Sequence, residues 1–188
     1  MNTTRFVFVH GNGTPHWSLG WAPWLKAQLE RAGYETFFET MPDSIIGRAE
    51  YWLPFLENYV GVGEHDVIIG WSTGAVAAMR FAEVNKLKGS ILVSPSYTDL
   101  DEELEKQSGY FIIPWQWEKI VANQGNIALV WGDDDPYIPQ EQFDFIASKL
   151  DPTCIKVANG KHFMERTEFP ELLAYIHSTY GTTAEWLL

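Results

Sequence analysis

Ser72, Asp135 and His162 lie far apart along the chain, yet together they carry what acyl transfer needs. A serine hydroxyl is a weak nucleophile at neutral pH. It becomes effective when an imidazole takes its proton, a carboxylate orients the imidazole, and N–H donors receive the developing oxyanion. Ser72 is the centre of Gly70-Trp71-Ser72-Thr73-Gly74, a G-x-S-x-G pattern between the apolar run Val67-Ile68-Ile69 and an alanine-rich segment beginning near Ala75. That context reads as strand, sharp turn and helix. Gly70 and Gly74 lack Cβ atoms, so the turn can pack against strand and helix while Ser72 adopts a strained backbone conformation. Its hydroxyl then stands above the sheet edge at a helix N-terminus, where negative charge is favoured. The plainer alternative is a glycine-lined loop with an incidental serine.

The acid and the base are expected on loops after later strands, in the chain order serine, acid, histidine. Gly132-Asp133-Asp134-Asp135-Pro136 and Asn159-Gly160-Lys161-His162-Phe163 supply that order. Among five histidines, His162 is the candidate base. His10 ends the first strand, His65 precedes a strand at the opposite edge, and His177 falls on the last helix; His16 stays open as a substrate contact. Asp135 is favoured as the acid because Pro136 restricts its backbone to an extended form that can aim the carboxylate across the loop. Asp134 is its rival, and the other acids of the triplet are expected to cap local N–H groups or face water. Three consecutive acids rarely converge on one ion, so no metal is expected. For the oxyanion the candidates are the backbone N–H of Thr73 and that of Asn12, with Gly13 as the alternative to Asn12. Gly11-Asn12-Gly13 matches neither a Walker A nor a dinucleotide fingerprint, so no cofactor is expected.

These residues need a scaffold that delivers loops to one rim. Short β-rich runs alternate with helical patterns throughout, which predicts an α/β class with a parallel sheet wrapped by helices. Strands are expected at 5–9, 34–38, 66–69, 91–93, 127–131 and 154–157. Helices are expected at about 19–32, 74–86, 140–149 and 170–180, with a further helical stretch after Met41-Pro42-Asp43 broken or kinked at Pro54. Residues 95–122 depart from the alternation, with an acidic run at 99–105 followed by Tyr110-Phe111-Ile112-Ile113-Pro114-Trp115-Gln116-Trp117. Such excursions serve as lids, binding walls or interfaces. The chain is expected to form one domain over 1–188, with the excursion near the active site.

Length and charge narrow the partners. The chain has 188 residues, 46% hydrophobic, and a formal charge of −12 from 25 acidic against 13 basic side chains. That surface repels phosphate backbones and anionic lipid, so neither nucleic acid nor membrane is expected as a partner. No apolar stretch approaches membrane-spanning length, and Met1 to Arg5 run straight into a strand, which together predict a cytoplasmic protein. The single cysteine, Cys154, excludes an intramolecular disulfide and is expected as a small buried hydrophobe. Nine tryptophans are mostly core, but Trp71 with Tyr97, Tyr110 or Trp115 is expected to wall a shallow apolar cleft over Ser72. The acidic run is expected to be a solvated helix face; bordering the cleft, it would prefer substrates carrying a free amine.

Several stretches resemble the small serine hydrolases of the retinoblastoma-binding protein nine and bacterial relatives family. They include Gly11-Asn12-Gly13, Met41-Pro42-Asp43, Trp52-Leu53-Pro54-Phe55, Ala77-Ala78-Met79-Arg80, Ser108-Gly109-Tyr110-Phe111 and Pro114-Trp115-Gln116-Trp117-Glu118-Lys119-Ile120. The resemblance implies a minimal three-layer α/β-hydrolase fold, with a six-stranded parallel sheet in the order 2-1-3-4-5-6 and no large cap domain. It also implies a triad of Ser72, Asp135 and His162. Two departures stand out: Trp71 replaces a histidine before the nucleophile, and the loop before Asp135 is one residue shorter, which keeps Asp134 in contention. The L-x-C-x-E peptide of pocket-protein binders is absent, since Pro152 and Lys156 flank Cys154 at the required spacing. The expected chemistry is metal-free hydrolysis through an acyl-enzyme, with small carboxylic esters first among substrates, amides or peptides next and thioesters after them. The alternative from another class is a non-catalytic protein-binding member of the fold.

Overall fold

The computed structural model describes residues 4–181. Strands β1 (Arg5–Val9), β2 (Glu35–Phe38), β3 (Asp66–Trp71), β4 (Leu87–Val93), β5 (Gln124–Gly132) and β6 (Thr153–Val157) form one sheet. Its order is β2-β1-β3-β4-β5-β6 and every pair is parallel, as expected. Side chains alternate across a strand, so each central strand feeds two cores. Val7, Val9, Ile68, Leu92 and Leu129 face one layer; Phe6, Phe8, Val67, Ile69, Ile91 and Val130 face the other. The second layer is covered by α1 (Ala22–Arg31) and α7 (Pro170–Tyr180). The first is covered by α2 (Ala49–Pro54), α3 (Thr73–Ala82), α5 (Trp117–Ala122) and α6 (Gln140–Leu150).

At the centre of the first layer, α3 is buried along its whole length. Glycine and alanine make that possible. A Cβ on Gly74 would stand 2.0 Å from the Val9 carbonyl oxygen, and one on Gly70 would stand 2.4 Å from the Gly74 carbonyl oxygen. The chain passes directly from β3 into α3 only because neither residue has a side chain. At Pro54 the missing N–H interrupts the ladder, and the helix continues as a π-helical turn over Phe55–Val60 before Gly61 ends it in a left-handed conformation.

The excursion between β4 and β5 holds two short helices, α4 (Glu103–Ser108) and α5, and Arg80 of α3 pins it down. The Arg80 guanidinium donates to the carbonyls of Tyr110 (2.8 Å), Ile113 (2.7 Å) and Pro114 (3.3 Å) and to Glu83 Oε1 (2.7 Å). It also lies 3.6 Å from the centre of a Trp115 ring. Five donors in a planar fork suit such a carbonyl cluster, so residues 110–115 are held fast against α3.

The expectation for Cys154 is corrected: the side chain is exposed. Because β6 pairs with β5 alone, it is an edge strand, and of its five residues only Val157 is buried. An alternating apolar pattern there does not guarantee cover on either face. Among the described residues no helix is long and apolar enough to cross a membrane.

Candidate active site

β3 ends at Trp71, and Ser72 turns the chain with φ 57° and ψ −123°. A non-glycine residue holds such a conformation only where its surroundings over-determine it. Here the Ser72 N–H donates to the Val93 carbonyl (2.8 Å), and the Ser72 carbonyl accepts the first α3 bond from Ala75 (2.8 Å). A Cβ on Gly11, in the loop after β1, would stand 3.2 Å from Ser72 Cβ and 3.8 Å from its hydroxyl oxygen. The glycine loop therefore lies against the nucleophile candidate.

The β5 and β6 loops meet at the same rim. His162 Nδ1 lies 2.8 Å from Asp135 Oδ2, with both side chains almost wholly buried. The other oxygen, Asp135 Oδ1, accepts the backbone N–H groups of Tyr137 (3.0 Å) and Ile138 (3.1 Å). Burial alone would push this carboxyl up. The His162 hydrogen bond, the imidazole charge and the two backbone donors outweigh burial and hold it below its ordinary value. Asp134 takes no part in that contact. It accepts the Lys161 N–H at 2.7 Å, and Asp133 accepts the Asn159 N–H at 2.8 Å. These two cap the histidine loop across the rim, in place of the local groups expected.

Ser72 and His162 both border a cleft of about 470 Å³, together with Gly11, Asn12, Trp71 and Glu105. Its outer wall is apolar, from Leu100, Leu104, Ile138, Met164 and Tyr137, with Glu102 at the rim. Among the described residues the Ser72 hydroxyl makes no hydrogen bond. In ligand-free sites the hydrogen bond between a nucleophile and its base commonly tightens only with substrate present.

The sequence profile of the serine hydrolase family matches residues 7–176. A rat protein, serine hydrolase RBBP9, is 41% identical over 177 residues, covering 93% of this chain and 95% of its own. YdeN of Bacillus subtilis is 26% identical over 177 residues, with 90% and 91% covered. The crystal structure of the ydeN product superposes with a TM-score of 0.85 at 25% identity, over 95% of this chain and 100% of the other. The chain belongs to the serine hydrolase family. It is a hydrolase with the α/β-hydrolase fold, a sheet order of 2-1-3-4-5-6 and no large cap among the described residues. A carboxylesterase structure from the thaumarchaeon Nitrososphaera gargenis has a TM-score of 0.69 at 12% identity, over 93% and 89% of the two chains. That likeness bears on fold alone.

In this serine hydrolase the two oxyanion candidates differ in how they are held. Thr73 is the first residue of α3 and is buried. The Gly13 N–H is already committed to the Ile45 carbonyl at 2.9 Å, which favours Asn12 between the two glycine-loop candidates. His10 keeps that loop in place. Met41 N–H donates to His10 Nε2 (2.9 Å), so the ring proton sits on Nδ1 and donates to the Gly11 carbonyl (2.7 Å). Burial pushes His10 down despite that bond, so the ring stays neutral at pH 7. His16 is exposed and does not line the cleft.

The aromatic expectations are largely corrected. Trp71 lines the cleft, but its main contacts are structural: its indole N–H donates to the His162 carbonyl (3.0 Å), and its ring packs on Trp21. Tyr97, Tyr110 and Trp115 do not line the cleft. Tyr97 stacks on Phe145 at 4.0 Å, Tyr110 is fully buried, and Trp115 lies between Arg80 and Trp117. The Arg80 cluster draws residues 110–115 onto α3 and away from Ser72. Leu100, Glu102, Leu104 and Glu105 line the cleft in their place. Glu105 also departs from the solvated face expected for residues 99–105, because α4 turns it inward toward Asn12 and Thr73.

Proposed function

We propose that this hydrolase acts by acyl transfer through Ser72, His162 and Asp135, most readily on small carboxylic esters. The observation that carries the reading is the Asp135–His162 pair at 2.8 Å on the cleft that holds Ser72. The Ser72 oxygen attacks the substrate carbonyl carbon while His162 Nε2 takes its proton. Asp135 keeps the ring proton on Nδ1 and stabilises the imidazolium that forms. The Thr73 and Asn12 backbone N–H groups bind the oxyanion of the tetrahedral intermediate. Collapse expels the alcohol, which leaves with the proton carried by His162. Water then attacks the acyl-serine ester by the same route, and the acid is released with Ser72 restored.

The cleft volume of about 470 Å³ and its apolar outer wall suit a short or aromatic acyl group better than a long lipid chain. Amide or peptide cleavage by the same mechanism is the second reading. The exposed Glu102 carboxylate on the cleft rim favours it, since it would attract an amine-bearing substrate.

Labelling with a fluorophosphonate probe tests the reading, with a graded series of p-nitrophenyl esters and aminoacyl amides run beside it. Wild-type protein is expected to label and turn over, and Ser72→Ala to do neither. Labelling that survives Ser72→Ala puts the nucleophile elsewhere. No labelling of wild type favours a non-catalytic binding role.

A further inference from the structure

One buried carboxyl in the cleft has no part in the reaction as written. Glu105, on α4, reaches back to the sheet rim, where its Oε1 accepts Asn12 Nδ2 at 3.0 Å and the Thr73 hydroxyl at 2.6 Å. Asn12 belongs to the loop after β1 and Thr73 to the start of α3, so a third element joins two residues that arrive separately. We propose that Glu105 is a positioning residue that fixes Asn12 and Thr73 relative to each other, and hence the spacing of the two backbone donors for the oxyanion. This inference rests on the acyl-transfer reading above.

A negative carboxylate beside an oxyanion site would oppose the charge that the site must stabilise, so the useful form of Glu105 is the neutral acid. Its surroundings favour that form. Burial pushes the carboxyl above its ordinary value, against the pull of the Thr73 and Asn12 bonds; the charge on Asp99 adds to the rise and that on His162 opposes it. Glu102 lines the same cleft, and the buried Tyr110 phenol feels the Glu105 charge. Oε2 is buried without a partner among the described residues, a costlier place for an ionised oxygen than for a neutral one. The sign then follows. Rate falls as rising pH takes the proton from Glu105 and sets a negative charge beside the oxyanion.

Steady-state hydrolysis of p-nitrophenyl acetate from pH 5 to 9.5 tests this in the full-length protein. Glu105→Ala is expected to lower kcat about 10- to 100-fold, a displaced donor costing somewhat less than a deleted one, with KM changed less than about threefold. Glu105→Gln keeps the shape and both acceptor contacts but cannot ionise. It is expected to recover most of that loss at the acidic end, and its rate relative to wild type to rise about tenfold toward the alkaline end, as the repulsion on the oxyanion grows only in wild type. Thr73→Val, which removes one of the two contacts, should lower kcat in the same direction, and it serves should Glu105→Ala fail to fold. Wild-type kcat and pH profile in Glu105→Ala would overturn the proposal, as would a Glu105→Gln rate as low as that of Glu105→Ala at every pH. Turnover that survives Ser72→Ala defeats the acyl-transfer reading instead. With Ser72→Ala inactive and the Glu105 variants normal, only the positioning role falls.

Discussion

Replacing Asp135 by Asn removes one charge and keeps the shape, and two separate effects on rate can be worked from the geometry. The first is Coulombic. With about 4 Å between the carboxylate and the imidazolium charge and an effective dielectric of about 20, the lost attraction is roughly 4 kcal/mol, or about 10³ in rate. The second concerns the ring proton. Asp135 Oδ1 already accepts the Tyr137 and Ile138 N–H groups, so the carbonyl oxygen of an asparagine is claimed by them and its NH₂ must face His162. Nδ1 then has to accept, the proton moves to Nε2, and the ring cannot take one from Ser72. Together the expectation is a loss of about 10³ to 10⁴ in kcat for ester hydrolysis. Asp134→Asn is the control, because its carbonyl can still accept the Lys161 N–H; the expected change is within about threefold. The reasoning is refuted if Asp134→Asn loses as much as Asp135→Asn, or if Asp135→Asn stays within tenfold of wild type. Linkage supplies a stability test of the same pair. Asp135 titrates lower in the folded protein than its ordinary 3.8, so its contribution is complete above that pH and is lost as pH falls through the lowered value. Asp135→Asn lacks that acid-side dependence in urea titrations between pH 2 and 5.

Gly74→Ala should destabilise by about 3 kcal/mol or more, because its Cβ would meet backbone oxygens of Val9 and His10 at 2.0 and 2.7 Å. Gly33→Ala, with open space but φ +81°, should cost only about 1 to 2 kcal/mol, and equal urea midpoints for the two would contradict the packing argument. Arg80→Ala strands the buried Glu83 and frees residues 110–114, with an expected cost of about 3 to 5 kcal/mol; an Arg80→Ala/Glu83→Ala double variant should recover part of it by chemical denaturation. Cys154, being exposed, should be alkylated by iodoacetamide in the native protein without loss of ester hydrolysis. Because the partial cover around the sulfur and the Asp151 charge raise the thiol above its ordinary value, that alkylation should still be accelerating above pH 9.

What could be read from the chain followed the physics of local signals. β1, the elbow, α6 and α7 have clear periods and are bounded by Gly, Pro or acidic caps, and they fall at or within a few residues of their expected bounds. β4 was expected only from Ile91, yet it begins at Leu87. Lys88, Gly89 and Ser90 have no strand pattern, but β3 and β5 on either side satisfy their backbone groups, and that pairing overrides propensity. The pairing of Asp135 with His162 was legible through Pro136 beside Asp135. The tasks of Asp133 and Asp134 were not, since their partners lie 26 and 27 residues away on another loop. Glu105 sits in an acidic run with nothing local to mark it; only the placement of α4 over Asn12 and Thr73 gives it an inward role. The tryptophan cleft failed for a related reason. Aromatic content predicts burial well, but which cavity a ring faces depends on distant anchors such as Arg80.

The acid triplet and the histidine loop make the most sense as one device. Three residues of that loop, Asn159, Lys161 and Phe163, have positive φ without being glycine, a burden of about 1 to 2 kcal/mol each. A Cβ on Gly132 would strike the Lys161 carbonyl oxygen at 2.2 Å, so the loop also presses on the end of β5. Left alone, such a loop would relax into other conformations and carry His162 away from the rim. Asp133 and Asp134 each hold one of its N–H groups with a charge-assisted bond. Trp71 fastens the His162 carbonyl from beneath. These three bonds oppose that strain, and they leave Asp135 to pair with the ring. Neighbouring carboxylates thus divide the work: two shape the loop, and the third governs the imidazole. A triplet of acids that looked redundant in sequence thus holds His162 in place between two residues of strained backbone.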